Sequence, residues 1–131
     1  MVNTLSEVRA QVKELLEATG LRTYDYAKEK AVPPYAVVVP NDPYLVPSET
    51  FGQYTIRFVV FVAGPRGTSN QQAEDTEEMV VKAINAFKDQ TDVYVVQVSS
   101  PLPRELTQLN LTVFGSEIEI EAEIIINEGE G

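Results

Sequence analysis

The chain has 131 residues, 44% of them hydrophobic, which is enough for one domain with a real core and too few for two ordinary domains. Twenty Asp and Glu against ten Lys and Arg leave a net charge of −10, which repels phosphate backbones and anionic membranes and points to protein partners. With no cysteine and no histidine, disulfides, thiolate metal sites, thiol nucleophiles and imidazole bases are all excluded, and no apolar run is long enough for a membrane span or a secretory signal, so the chain reads as cytosolic in origin.

Thr4-Leu5-Ser6-Glu7 fits a capping box, and Leu5, Val8, Val12, Leu15 and Leu16 recur at helical spacing until Gly20 stops the run. Pro33 to Pro40 predicts a strand bracketed by prolines. Asn41 to Thr50 predicts a loop, because Pro43 and Pro47 do not suit a sheet interior. Phe51 to Ala63 predicts the longest strand, with Tyr54, Ile56, Phe58, Val60 and Val62 on one side and Thr55, Arg57, Val59, Phe61 and Ala63 on the other. Gly64 to Thr68 predicts a turn, and Ser69-Asn70-Gln71-Gln72 a second capping box that opens a helix with Ala73, Val80, Ile84 and Phe87 as its buried stripe. Val93 to Ser99 predicts a further strand, and Pro101-Leu102-Pro103 a break. Two alternating runs follow, Glu105 to Phe114 and Glu117 to Ile126, joined by Gly115-Ser116, which suits a two-residue type II′ turn. In that hairpin Val113 pairs with Ile118, Leu111 with Ile120 and Leu109 with Ala122, while Thr112, Asn110 and Gln108 lie opposite Glu119, Glu121 and Glu123. Residues 1–127 form the single domain, and residues 128–131 are expected to fray as a disordered tail.

This order fits an α+β fold: a mainly antiparallel sheet of four to five strands, two helices packed on one face, and a C-terminal β-hairpin. The opposite face is then uncovered. Arg57, Val59 and Phe61 on that face are a candidate subunit interface, with shielding by a loop as the alternative. Tyr44, Leu45 and Val46, which have no strand or helix period to bury them, form with Arg66 a candidate docking loop; folding back over the domain's own sheet is the other reading. Glu117, Glu119, Glu121 and Glu123 make an outward acidic row that is either a solvated face or a surface facing a partner or an opening.

The search for chemistry is short. Gly64 to Ser69 lacks the lysine and spacing of a phosphate loop and reads as a turn and a cap. Glu74, Asp75, Glu77 and Glu78 complement the dipole of their helix. No catalytic residue, metal or cofactor is nominated, and the chain does not read as an enzyme.

The N-terminal helix, the segment Pro33 to Pro40, the strand Tyr54 to Ala63 and the helix beginning near Ser69 to Glu74 together resemble the tail terminator proteins of long-tailed, siphovirus-type bacteriophages, over roughly Leu5 to Ile126. Tail-completion and head-closure proteins of the phage neck are similar in size. The resemblance implies a structural virion protein that forms a ring, generally hexameric, at the head-proximal end of the tail tube. Such a ring stops tube polymerisation and offers a joining surface to the head connector or stopper. Its implied partners are further copies of the chain, the tail tube protein and the connector, with DNA passing through unbound; its place is the virion neck, after assembly in the host cytoplasm. On this reading Tyr44, Leu45, Val46 and Arg66 reach the tube or an adjacent subunit, and the glutamate row borders the central opening. The rival classes are a small non-catalytic ligand-binding domain, which needs a concave pocket with converging polar groups, and a small hydrolase working with carboxylates alone.

Overall fold

A computed structural model describes residues 5–25, 32–49, 52–106 and 111–125. The elements in chain order are α1 (Leu5–Glu17), β1 (Thr23–Asp25), β2 (Tyr35–Pro47), β3 (Gln53–Arg66), α2 (Asn70–Asn85), β4 (Val93–Val98), β5 (Leu102–Leu106) and β6 (Leu111–Ile125). The strands form one sheet in the order β1-β2-β3-β6-β4, with β5 also pairing β6. Among the described residues only β1 and β2 run parallel; the other pairings are antiparallel.

The apolar periods place the core. On β3, Ile56, Phe58, Val60 and Val62 are fully buried, and Ile118, Ile120, Ala122 and Ile124 of β6 lie beside them on the same face. Val8, Val12 and Leu16 of α1, spaced one helical turn apart, and Val80, Ala83 and Phe87, along and just beyond α2, pack into the same cluster. Both helices therefore cover one face, as the α+β reading expects. Each large side chain buried there contributes about 1.5–3 kcal/mol relative to exposure. At the start of α2 the Ser69 backbone N–H donates to Gln72 Oε1 at 3.2 Å, which is one half of the expected capping box. The corresponding box at Thr4 and the frayed tail at 128–131 lie outside the described residues.

The described strands number six where four to five are expected. β1 has three residues, too few to show alternation, and joins the sheet through Thr23 to Asp25 against Ala36 to Val38. β5 forms where Pro101-Leu102-Pro103 predicts a break, with Pro103 on the sheet's outer margin opposite Phe114.

The C-terminal hairpin exists, but with a different turn. Gly115-Ser116 is not a turn: β6 runs straight through it, and the pairs expected from it, such as Val113 with Ile118, do not form. Instead Leu106 faces Leu111, Leu102 faces Gly115, Val98 faces Ile118 and Val93 faces Ala122, so β4 and β5 successively line one side of β6. The connection falls at 107–110, outside the described residues. Ser99 bridges the interruption between β4 and β5, since its N–H donates to Glu117 O at 2.9 Å and its carbonyl accepts from Ser116 Oγ at 2.6 Å. Gly115 is glycine for lack of room: a Cβ there would lie 2.8 Å from the Phe61 ring and from Arg104 Cγ.

The segment expected as a loop at 41–50 is mostly strand. β2 continues to Pro47, with Leu45 opposite Ile56 and Val46 opposite Thr55 after a register shift between Pro40 and Leu45. Pairing with β1 ends at Val38, so these prolines lie on a strand whose far side has no hydrogen-bonding neighbour among the described residues. Tyr44 stacks edge-on against Phe58, ring centroids 5.7 Å apart, and Leu45 packs on the core. Fold-back is thus what the geometry shows for these two side chains. The double variant Tyr44→Ser, Leu45→Ser should lose about 2–4 kcal/mol of stability; an unchanged urea midpoint would contradict this packing.

Close approach also fixes the seat of α2. A Cβ on Gly64 would overlap the hydroxyl of Thr76 and lie 2.9 Å from its Cβ, where Thr76 is buried with its hydroxyl donating to Gln72 O at 2.8 Å. Gly64→Ala should therefore destabilise by about 1–3 kcal/mol. Adding Thr76→Ala should recover part of that loss, measured as urea midpoints; if the second change only adds to the damage, the contact is wrongly placed.

Candidate functional site

Strand alternation that buries Ile118, Ile120 and Ala122 turns the four glutamates outward, and the β3–β6 register decides what stands beside them. Glu117 faces Phe61, Glu119 faces Val59, Glu121 faces Arg57 and Glu123 faces Thr55. The candidate interface and the candidate acidic row are therefore one continuous surface. On the other side of β6, Gln97 pairs with Glu119 and Tyr94 with Glu121. The expected neutral row is corrected accordingly: Thr112 lies opposite Glu105, and Gln108 and Asn110 are outside the described residues.

Three of the carboxylates are held by donors. Glu123 accepts from the Thr55 hydroxyl at 3.2 Å and from Ser48 Oγ at 3.3 Å. Arg57 sits between Glu119 and Glu121, with N···O distances of 3.6 and 3.5 Å, and also donates to Pro43 O at 3.0 Å. Glu119 further accepts from Asn41 Nδ2 at 3.4 Å and from the Gln97 amide, and Glu121 from the Tyr94 hydroxyl at 3.3 Å. Partial burial, then the charges of Glu121 and Glu123, push the Tyr94 pKa above its ordinary value. Its neutral, donating form is thus favoured, and the stability this adds is present below pH 10 and lost as the phenol ionises in stronger alkali. Among the described residues the Glu117 carboxylate has no such donor, and Glu117 is exposed.

Val59 and Phe61 are half-buried, less open than a bare sheet face implies. The Phe61 ring lies over Gly115 beside the Arg104 side chain, so the chain itself supplies part of the cover. Val39, opposite Val59 on β2, is half-buried as well. Arg66 does not join Tyr44, Leu45 and Val46: it pairs with Val113, ten residues along β3 from the partner of Leu45, or about 33 Å at the strand rise. Of that group, Val46 and Arg66 are exposed at separate places.

The sequence does not single out Asn41, Ser48, Tyr94 and Gln97. Thr55 shares the parity of Arg57, which is the available signal for it. Gln97 shares the parity of Val95 and would be assigned to the core side, but a register shift between Val95 and Gln97 turns it to the glutamates. A shallow open hollow lined by Ser48, Glu49, Gln53, Thr55 and Glu123 lies at one end of the row. Among the described residues no group of three or more carboxylates is placed to hold a metal ion; Asp75 of the α2 acidic set accepts from Gln71 Nε2 at 2.9 Å.

Neither protein-family models nor curated protein sequences give a match to this chain.

Because Arg57 is partly solvated, its pairs carry the modest energy of surface ion pairs. Arg57→Gln should lower stability by about 0.5–1 kcal/mol at low salt, and the loss should shrink as salt screens the glutamates. Glu117→Gln should stay within about 0.5 kcal/mol of the parent. Equal losses for both variants would contradict the unequal support of the row.

Proposed function

We propose that this protein is a structural, ring-forming subunit of the tail-terminator type in the neck of a long-tailed phage, ending the tail tube and presenting the joining surface for the head connector. The observation that carries the reading is the outward sheet face. No helix among the described residues packs on it, and it joins half-buried Val39, Val59 and Phe61 to an ordered row of glutamates. A subunit that turns such a face toward a shared opening lines it with negative charge, and like charge keeps passing DNA from adhering. The family resemblance supports the same reading through its order of elements. A tail-completion or head-closure protein would serve the same neck by the same kind of surface.

Light scattering after size exclusion, together with electron microscopy, tests this directly: rings are expected, alone or on tail tubes, and added protein should halt tube elongation. Val59 and Phe61 stand within the glutamate row and so face the opening with it, which leaves the subunit contact to the margins of the face: Val46→Glu, at an exposed position on β2, should impair ring formation with melting unchanged. Tubes that lengthen unchecked in the presence of excess folded protein would sink the proposal.

A further inference from the structure

We propose that the free edge of β4 pairs with the same edge of a second copy across a two-fold axis, forming an antiparallel β4–β4 contact that joins two sheets into one. The contact closes on itself, so it is distinct from an interface that propagates around a ring and does not rest on the ring reading.

Among the described residues β4 ends the sheet, and nothing pairs with its outer side. Exposed edges invite pairing and are normally blunted with prolines, charges, bulges or very short strands, and of these β4 has the bulge alone. The other open stretches are blunted: β2 beyond its three-residue partner β1 carries Pro40, Pro43 and Pro47, and β5 carries Pro103, Arg104 and Glu105. β4 reads VYVVQV, with no proline and no charge. Its irregularity is the bulge at Val96, and it leaves Tyr94, Val96 and Val98 at 39%, 47% and 37% exposure.

The strand is close to self-complementary. Antiparallel pairing centred between Val95 and Val96 sets Val93 against Val98, Tyr94 against Gln97 and Val95 against Val96, with Asp92 meeting Ser99 at the flank. No like charges oppose each other. The two glutamate rows would stand three strand spacings apart, about 14 Å. That exceeds the Debye length of about 8 Å at physiological salt, so the net charge of −10 does not forbid the contact. A six-residue edge falls in the small class of interfaces, below about 1,200 Å² in total, so the dimer is weak and concentration-dependent.

Light scattering over rising concentration should show the mass of the smallest species doubling reversibly in the full chain. Val96→Lys, at an exposed position, should weaken it at least about tenfold while leaving the melting curve unchanged. Register is tested by crosslinking, since the chain has no cysteine of its own. A mixture of Tyr94→Cys and Gln97→Cys chains should form disulfide-linked pairs under mild oxidation, and each variant alone should not, because its equivalent positions stand too far apart across the axis. A strictly monomeric parent overturns the proposal. So do dimers or rings of unchanged mass in Val96→Lys with no crosslink in the mixture, a result that would leave the ring reading untouched.

Discussion

The antiparallel register between β3 and β6 is the constraint from which the rest follows. It sets Ile56, Phe58 and Val60 beside Ala122, Ile120 and Ile118 under the helices, and by the same step sets Thr55, Arg57, Val59 and Phe61 beside Glu123, Glu121, Glu119 and Glu117 outside. A slip of one residue would exchange the faces and drive four carboxylates beneath α1 and α2. Each uncompensated charge there would cost several kcal/mol, which no rearrangement of the valines could offset. The acidic surface and the hydrophobic core are consequences of one pairing. The two tight glycines serve it from either side: Gly64 lets α2 approach the sheet at Thr76, and Gly115 lets the Phe61 ring come close to β6.

Support along the row is graded, and the grading has a physical source. Glu123 meets neutral hydroxyls, Glu121 and Glu119 share one guanidinium, and Glu117 stands opposite Phe61, which offers no donor. Charge is therefore least compensated at the end of the row nearest the β4–β5 interruption. The donors come from β2, β3 and β4, as well as from Ser48 just beyond β2, so the carboxylates are oriented by the whole sheet and not by their own strand alone.

What was legible in the sequence was local. Helical spacing picked out Val8, Val12 and Leu16, the capping box at Ser69 located the start of α2, and parity alone sorted Tyr54 to Val62 of β3 and the glutamate row to their faces. Ala63, expected outside, is buried, and Gly64 to Arg66, expected as a turn, continue the strand past a register shift. What was illegible depended on contacts distant in the chain. Gly115 carries the letter of a tight turn, yet glycine serves both positive φ and close approach, and only the Phe61 ring on a different strand tells which applies. Proline density at 40–47 reads as a loop because the sequence does not show that β1 is too short to cover that half of β2. The candidate site divided the same way: the glutamates were visible and the parity of Tyr94 turns it toward them, whereas Gln97 depended on a bulge that parity cannot register.

The charge distribution also limits how copies can meet. Two outward faces pressed together would bring eight glutamates and two arginines into one interface, four from each copy against one Arg57, and repulsion at contact distance is not screened. Face-to-face dimers are thus disfavoured by the same row that makes the surface distinctive. Arrangements that keep the rows apart are not: sheets arrayed around an opening separate them by its width, and edge-to-edge joining separates them by intervening strands. In both cases the apolar contacts fall at the margins of the acidic strip, on Val39 and Val46 at one side and on Val96 at the other. A strip of like charge flanked by apolar margins therefore selects lateral association over stacking.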